Sequence, residues 1–416
     1  MEKINNYTYR IEKTVLGKGA FGTIYLGTII EKDEEIALKE LPSEIDKETL
    51  DIVSNEIKIN TNLDNTNIVK MIDIAVINEK KYLVFELCNG GDLRKYMNYF
   101  GKFDEELVRI ITIKLINGLY ELKKKEVIHH DIKPEHILIQ LFYEQKKTPE
   151  LEKEINDIKS FIKKKEVRDN NNSQQNDNLY NMNNMNNMNN LNKMNNFINN
   201  NNMNNNNNIM MNPVNNNNLI NNNIIANNNN SNEEMEKKII KVLKEAQYKL
   251  SDFRLSKLRG EIITKNLAGS PLYMAPELFN PSVSIESIEN FQVDIWALGV
   301  MVFEMFYGRK PFEAFSIDQL SSMYIKGEFY ININREITKE FLNFINMCLQ
   351  KDPTKRADIK KLRNSCFINM SEEEAIKLNK DEIIELFKDK AKVDENNPDH
   401  LILNINKNYF EDEDKN

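Results

Sequence analysis

The stretch of sequence that decides the fold is His129-His130-Asp131-Ile132-Lys133-Pro134-Glu135-His136-Ile137-Leu138. It follows a segment from Asp104 to Lys125 in which apolar residues recur at helical spacing, which predicts an amphipathic helix. Asp104 suits the start of that helix as a cap, and the lysines at its end suit the negative pole of its dipole. The quoted stretch therefore begins where a long helix ends.

A glycine-rich run near the start of the chain reads Gly17-Lys18-Gly19-Ala20-Phe21-Gly22. This G-x-G-x-x-G spacing occurs in dinucleotide-binding folds and in protein kinases, so the spacing alone does not distinguish them. A dinucleotide-binding fold needs a helix directly after the glycines. Here the next residues, Thr23-Ile24-Tyr25-Leu26-Gly27, are β-branched and aromatic, which predicts a strand. A glycine loop between two strands favours the kinase arrangement, in which backbone closes over nucleotide phosphates.

A lysine and a glutamate follow in the order that a kinase requires. Ile36-Ala37-Leu38-Lys39 places the lysine at the end of a short apolar strand, and a helical stretch around Leu50 to Leu63 carries Glu56. Taken alone, Lys39 is an ordinary surface lysine. In kinases such a lysine holds the α- and β-phosphates of ATP and pairs with such a glutamate. The ordered combination of glycine loop, lysine and glutamate therefore predicts a phosphate-binding site.

The chain resembles the eukaryotic protein kinase family, serine/threonine type, from about Tyr9 to Phe367 apart from one insert. The quoted stretch resembles the catalytic loop H-R-D-L-K-P-x-N of that family. The remaining motifs that carry the resemblance are Ser251-Asp252-Phe253-Arg254-Leu255, similar to the metal-binding D-F-G segment, Gly269 to Glu277, Asp294 to Gly299, and Arg356. Within the family the chain is similar to the autophagy-initiating ULK group, through Glu56 to Ile59, Tyr82 to Val84, Cys88 to Leu93, Gly269 to Glu277 and Gly308 to Phe312.

The resemblance implies an α+β, two-lobed protein kinase fold. The small N-lobe, residues 9–87, would carry an antiparallel β-sheet with one key helix. The larger, mainly helical C-lobe would comprise residues 88–140 and 247–367. Composition divides the rest of the chain: residues 141–246 are predicted to be an inserted, low-complexity loop, and residues 368–416 an acidic tail with one helix from Glu373 to Phe387. The tail is interpreted as solvated, with a docking motif as the alternative.

The resemblance also implies roles for individual residues, with ATP and Mg²⁺ as cofactors and a protein as substrate. Asp131 would orient the substrate hydroxyl or accept its proton, Lys133 would stabilise charge on the transferring phosphoryl group, and Ser270 would contact the catalytic aspartate. Asp252 would hold magnesium. The nucleotide would be bound by Leu16, Gly17, Lys18, Gly19, Gly22, Ile24, Ala37, Lys39, Glu56, Glu86 and Cys88, with Glu86 to Cys88 as the hinge. Two structural roles complete the set, an ion pair of Glu277 with Arg356 and a brace of the catalytic loop by Asp294.

Four residues depart from the family pattern. His136 stands where the family has the asparagine that binds a second magnesium, and Arg254 stands where D-F-G has glycine. His130 replaces an arginine that grips an activation-loop phosphate, and Asn60 replaces an apolar residue of the regulatory spine. Because imidazole suits softer metals better than Mg²⁺, His136 predicts a preference for Mn²⁺. The departures leave a second functional class open, a pseudokinase or weakly active nucleotide-binding scaffold.

The asparagine-rich tract from Asp169 to Asn232 carries only scattered apolar residues. Such a composition cannot bury enough apolar surface to offset chain entropy, which predicts disorder. Short strand-like sequences flank the insert, Ile137-Leu138-Ile139 before it and Tyr248-Lys249-Leu250 after it. The insert is therefore predicted to be one long loop of a hairpin, an expansion that costs little because closure entropy grows slowly with loop length.

The composition of the chain argues against several other classes of function and location. The net charge of −8 over 416 residues gives no general basic surface for nucleic acid or anionic lipid. The three cysteines, Cys88, Cys348 and Cys366, form no disulfide framework and no metal-ligand spacing. The longest apolar run, Ile295 to Phe306, is too short to span a bilayer and is interrupted by Glu304. These features predict a cytoplasmic protein without a membrane span.

Overall fold

The computed structural model describes residues 7–19, 22–43, 46–142, 148–163, 221–259, 270–279, 291–388 and 390–410. The chain divides into two compact units, one of residues 147–241 and one formed by the rest. Most of the tract that is predicted to be disordered lies outside the described residues.

The N-terminal part of the larger unit is a five-stranded antiparallel sheet with the strand order β1-β2-β3-β5-β4. Its strands are β1 Tyr9–Gly19, β2 Gly22–Ile29, β3 Glu34–Glu40, β4 Met71–Ile77 and β5 Lys80–Glu86. One face buries Ile29, Ile36, Leu38 and Val84. Helix α1, Lys47–Asn60, places Val53 in a second cluster with Leu83 and Met71. The alternation of buried positions along the strands follows from the two-residue period of β structure.

The C-terminal part is mainly helical. Its helices and short strands up to the insert are β6 Gly91–Asp92, α2 Leu93–Phe100, α3 Glu105–Lys124, β7 Val127–Ile128 and β8 Ile137–Gln140. Helix α3 begins as predicted, because the Asp104 side chain accepts a hydrogen bond from the Leu107 amide at 2.7 Å. It buries Leu107, Ile111 and Leu115 completely.

Within the insert the structure describes two helices, α4 149–163 and α5 Asn221–Glu245. In the smaller unit, Lys238 of α5 pairs with Glu154 of α4 at 2.8 Å. The described ends of the insert are therefore helical, and α5 overlaps the end of the tract that is predicted to be disordered. Beyond α5, strand β9, Gln247–Leu250, pairs antiparallel with β8 from Ile137 opposite Leu250 to Gln140 opposite Gln247. The strands predicted to flank the insert thus form the predicted hairpin.

The rest of the chain continues with β10 Lys257–Leu258, α6 Gln292–Tyr307, α7 Ile317–Lys326, β11 Glu328–Asn332, β12 Ile337–Thr338, α8 Lys339–Cys348, α9 Ile359–Arg363 and α10 Cys366–Asn369. Helix α6 is buried from Val293 to Phe306, so its apolar run belongs to the core. It ends at Gly308, whose φ of 73° lies in the left-handed region that glycine adopts without steric cost. The α+β kinase architecture is confirmed: an antiparallel five-stranded sheet precedes a helical part.

The C-terminal segment corrects one expectation. The predicted solvated tail contains β13 Lys377–Leu378, α11 Lys380–Leu386, β14 Lys392–Asp394 and β15 Asn397–Asn404. Strand β15 pairs with β11, from Asn332 opposite His400 to Glu328 opposite Asn404. It buries Leu401 and Leu403, which alternate with partly exposed residues. Although the segment is acidic, it contains a strand whose buried residues recur every second position.

The helix in this segment is also shorter than the predicted range of Glu373 to Phe387. It begins at Lys380 because the Asn379 side chain accepts hydrogen bonds from the amides of Asp381 and Glu382. The Glu382 carboxylate accepts in turn from the Asn379 amide at 2.8 Å. This reciprocal pair is a capping box, which fixes the start of a helix.

Candidate active site

The glycine-rich run lies between β1 and β2, two antiparallel strands, as the sequence predicts. Gly17 lies opposite Ile24 and Gly19 opposite Gly22. Gly22 has a φ of 128°, and a Cβ atom there would clash with the carbonyl oxygen of Glu40. Only glycine fits this position, which lets β2 begin in close contact with the backbone of β3. Leu16, exposed Lys18 and Ile24 flank the same turn.

Lys39 and Glu56 form a close ion pair. The Lys39 Nζ lies 2.6 Å from Glu56 Oε1 and 2.7 Å from Oε2, and both side chains are largely buried. The strand register places Lys39 opposite Ile24 of the glycine-loop strand. Helix α1 carries Glu56, and Asn55 on the same helix donates to the Ser256 carbonyl at 2.7 Å. The helix is therefore tied to the segment after Asp252 while it presents Glu56 to the lysine.

Asn60, which stands where the family has an apolar residue of the regulatory spine, is buried in the structure. Its Nδ2 donates to the Glu56 carbonyl at 2.8 Å, one turn earlier in α1. A buried amide that is hydrogen-bonded avoids much of the desolvation cost of an unpaired one. The polar residue is thus accommodated within the helix that positions Glu56.

The hinge residues lie where β5 ends. Ala37, in the middle of β3, lies opposite Phe85, which is adjacent to Glu86. The Glu86 carboxylate accepts from Lys249 Nζ at 2.8 and 3.0 Å, so its side chain is held against β9. Burial, followed by the charge of Glu86, raises the pKa of Cys88 to about 12. The thiol therefore stays protonated at neutral pH, as expected for a small packing residue.

Asp294 holds the backbone at the start of the catalytic segment, His129 to Leu138. Its two carboxylate oxygens accept from the amides of His129 at 2.7 Å and His130 at 2.9 Å. His129 is fully buried, and its Nε2 lies 3.0 Å from the Ser251 carbonyl oxygen. Burial lowers the pKa of His129 and lowers that of His130 to about 4. His130 is therefore neutral at physiological pH and cannot act as a cation for an activation-loop phosphate.

Asp131, Lys133 and Ser270 meet in one cluster. Lys133 Nζ donates to Asp131 Oδ2 at 2.9 Å and to Ser270 Oγ at 2.8 Å. The Ser270 amide donates to Asp131 Oδ1 at 3.1 Å. These contacts fix the orientation of the carboxylate and place a positive charge beside it. A carboxylate held in this way can accept the proton of a hydroxyl group that approaches it.

His136 lies between the two acidic residues of the site. Its Nδ1 is 2.9 Å from the Asp131 carbonyl oxygen and 3.3 Å from Asp131 Oδ2. Its Nε2 is 3.1 Å from Asp252 Oδ2. The predicted pair of metal ligands, Asp252 and His136, is thus brought together, but both ring nitrogens of His136 face oxygen atoms of the protein.

The sequence did not predict the contact that Arg254 makes with Asp252. Arg254 Nε donates to Asp252 Oδ1 and its Nη2 donates to Asp252 Oδ2, which makes a two-pronged ion pair. Burial alone would raise the pKa of Asp252, but the hydrogen bonds from Arg254 and the charges of His136, Arg254 and Lys39 hold it well below its usual range. The only available signal was a basic residue two positions after a carboxylate.

The backbone at Arg254 does not need glycine. Arg254 lies in a short 3₁₀ turn, Phe253–Leu255, and is not among the residues with a positive φ. Asp252 takes the left-handed conformation instead, at φ 66° and ψ 73°. Phe253 is buried and lies with its ring centre 5.0 Å from that of His129. Arginine therefore replaces glycine at position 254 without a positive φ at that residue.

As arranged, these residues do not fit a pair of magnesium ions. Magnesium requires several oxygen ligands in near-octahedral geometry. Both oxygens of Asp252 are taken by Arg254, and His136 replaces an oxygen ligand with nitrogen. Within the described residues, no group of three or more His, Cys, Asp or Glu side chains is arranged to hold a metal.

Two further contacts stabilise the part of the chain around the site. Arg356 and Glu277 form the expected ion pair, fully buried, at 2.8 and 3.0 Å. A second network was not predicted. Arg94 Nε lies 2.7 Å from Glu135 Oε1, and its Nη1 lies 3.0 Å from Glu304 Oε1. Arg94 therefore links the catalytic segment to helix α6.

The comparisons with known proteins agree with this geometry. A profile described as "Protein kinase domain" matches residues 10–148 and 239–368, which is more than half of the chain. The human serine/threonine-protein kinase ULK1 is 24% identical over 86% of this chain and 25% of its own length. The serine/threonine-protein kinase atg1 of Dictyostelium discoideum is 27% identical over 91% of this chain and 41% of its own.

A third relative, cell division control protein 7 of Schizosaccharomyces pombe, is 40% identical over 30% of this chain and 12% of its own length. The chain thus spans less than half the length of each of these three relatives. The profile match includes both halves of the cluster that unites Asp131 with Asp252, on either side of the insert. The chain belongs to the protein kinase family.

Proposed function

We propose that this chain is a serine/threonine protein kinase that transfers the γ-phosphoryl group of ATP to protein hydroxyl groups. One observation carries the proposal: the Lys39–Glu56 ion pair and the cluster of Asp131 with Lys133 and Ser270 are both formed in the same structure. The first suits the α- and β-phosphates of ATP, and the second suits the acceptor hydroxyl. Relatives with this domain carry the printed name of serine/threonine kinase.

The proposed chemistry uses residues of this chain at each point. The glycine loop, with Leu16, Gly17, Lys18, Gly19, Gly22 and Ile24, covers the nucleotide, and Ala37, Glu86 and Cys88 border the adenine. Asp131 orients the attacking hydroxyl and takes its proton as the oxygen–phosphorus bond forms. Lys133 stabilises the charge that develops on the transferred group. The hydrogen bond from Lys133 to Ser270 fixes the surface against which the substrate peptide would bind.

The metal requirement is the finer part of the proposal. The protein kinase family generally uses ATP with Mg²⁺, which supplies positive charge to the phosphates. Where a divalent ion does bind beside Asp252, we expect Mn²⁺ to be preferred, because the neighbouring side chain that could act as a second ligand is the imidazole of His136, 3.1 Å from Asp252 Oδ2. We also place the protein in the cytoplasm. The three cysteines of the chain are free. Among the described residues, no helix is long and apolar enough to cross a membrane.

The test is transfer of labelled phosphate from ATP to a generic basic protein, with Asp131→Asn as the blank. Wild-type transfer that the blank lacks supports the proposal. The alternative is a nucleotide-binding scaffold, which the ion pair of Arg254 with Asp252 favours. Nucleotide binding by both proteins, with transfer by neither, would select the scaffold.

A further inference from the structure

The charges of the candidate active site are balanced by the chain itself. In the described part of the chain, three carboxylates of the site each pair with a cation: Glu56 pairs with Lys39, Asp131 with Lys133, and Asp252 with Arg254. In a site that depends on divalent ions, an aspartate at the phosphates would be left for the metal. Here that aspartate is bound by a guanidinium, which is planar and always protonated.

Arg254 and Lys39 act on the same carboxylate. The charge of Lys39 is felt at Asp252, and the charges of Glu56 and Asp131 are felt at Arg254. The two cations therefore belong to one electrostatic cluster. The side chains of Arg254 and Asp252 remain 22% and 17% exposed, so the pair borders the cleft and is not sealed inside the protein.

We propose that Arg254 takes the place of a divalent metal ion in nucleotide binding. By neutralising Asp252 it removes the negative charge that would otherwise repel the polyphosphate of a nucleoside triphosphate, so that Lys39 can bind the phosphates without a bridging ion. A guanidinium binds a carboxylate in a two-pronged geometry, and does so strongly where water is partly excluded. Nucleotide binding then has little need of Mg²⁺. This inference rests on the proposed nucleotide site but concerns binding and not transfer.

The competing outcome is displacement, in which a metal ion removes Arg254 from Asp252 and binds in the usual way. The two possibilities differ in the effect of chelation. If Arg254 already neutralises Asp252, the affinity for ATP survives the removal of divalent ions. If the metal displaces it, chelation removes most of the affinity, because the triphosphate then approaches Asp252 without a bridging cation.

The experiment is titration of the full chain with ATP, followed by calorimetry, in EDTA and in saturating Mg²⁺. We expect wild type to bind ATP with similar affinity under both conditions. Arg254→Gly should lose about tenfold or more in EDTA, because it leaves the Asp252 carboxylate unneutralised beside the triphosphate, and should regain affinity with Mg²⁺. Arg254→Lys should lie between the two. Arg10→Ala removes an exposed arginine of β1 and serves as the control for net charge.

Binding by wild type only when Mg²⁺ is present would overturn this inference while leaving the proposed function intact. Equal affinity of Arg254→Gly and wild type in EDTA would overturn it as well. Absence of ATP binding by wild type under both conditions would overturn the inference and the proposed function together. Circular dichroism melts of each variant separate these results from a failure to fold.

Discussion

The C-terminal segment from Lys377 to Phe410 should stabilise the part of the chain that contains helix α6. Phe387 is 1% exposed, and its ring centre lies 5.4 Å from that of Tyr409 and 5.9 Å from that of Phe410. Replacing a buried phenylalanine by alanine costs about 3 to 5 kcal/mol through lost burial and the cavity that remains. We therefore expect Phe387→Ala to lower the thermal midpoint by roughly 6 °C or more.

The assay is urea unfolding followed by the fluorescence of Trp296, the single tryptophan of the chain. Trp296 is fully buried in α6, outside the C-terminal segment. Its signal therefore shifts only if the segment and that helix unfold as one cooperative unit. Ile376→Ala is the matched control, because Ile376 lies directly before this segment but is 75% exposed. The control should change stability by less than about 0.5 kcal/mol.

Equal and small effects of Phe387→Ala and Ile376→Ala would refute the reasoning. The segment would then be a solvated tail, as its acidic composition indicates, and the pairing of β15 with β11 would contribute nothing to the rest of the fold.

Three further predictions concern the insert and two histidines. Replacing residues 147–241 by a short Gly/Ser turn should leave the thermal midpoint and ATP affinity nearly unchanged, whereas loss of folding would show that the insert is not a loop expansion. His136→Asn should reduce the ratio of Mn²⁺- to Mg²⁺-supported transfer rates about tenfold, and equal ratios in both proteins would exclude His136 as a metal ligand. Burial lowers the pKa of His130 from 6.5 to about 4, so the folded state should lose stability as pH falls through that window, and His130→Gln should lose less on acid titration.

The sign of the last prediction follows from proton binding. An unfolded chain protonates the histidine near its ordinary pKa, whereas the folded chain keeps it neutral until a much lower pH. Acid therefore favours the unfolded state, and above the ordinary pKa the residue contributes no pH dependence. His129 acts in the same direction, because burial also lowers its pKa, so a residual slope should remain in His130→Gln.

Local patterns predicted much of this fold. The sequence predicted the helix after Asp104, the glycine loop between two strands and the hairpin of β8 with β9, because caps, turns and periodicity act over a few residues. It did not predict the pairing of β15 with β11. That pairing joins residues about seventy positions apart, and a single sequence carries no signal for such long-range contacts.

The candidate site shows the same division. Motif order predicted which residues meet, such as Asp294 with the catalytic segment and Glu277 with Arg356. It did not predict that Arg254 would grip Asp252, since that outcome depends on side-chain direction and on the local dielectric. The sequence showed only that glycine was missing at that position.

The most direct test of the proposed activity is the initial rate of phosphoryl transfer, with analysis of which amino acid carries the label. We expect wild type to place phosphate on serine or threonine. Asp131→Asn should be slower by about a hundredfold or more, because it removes the proton acceptor. Asp64→Asn, at an exposed aspartate, should match wild type. Equal rates in wild type and Asp131→Asn, or label found on tyrosine alone, would contradict a serine/threonine kinase that works through Asp131.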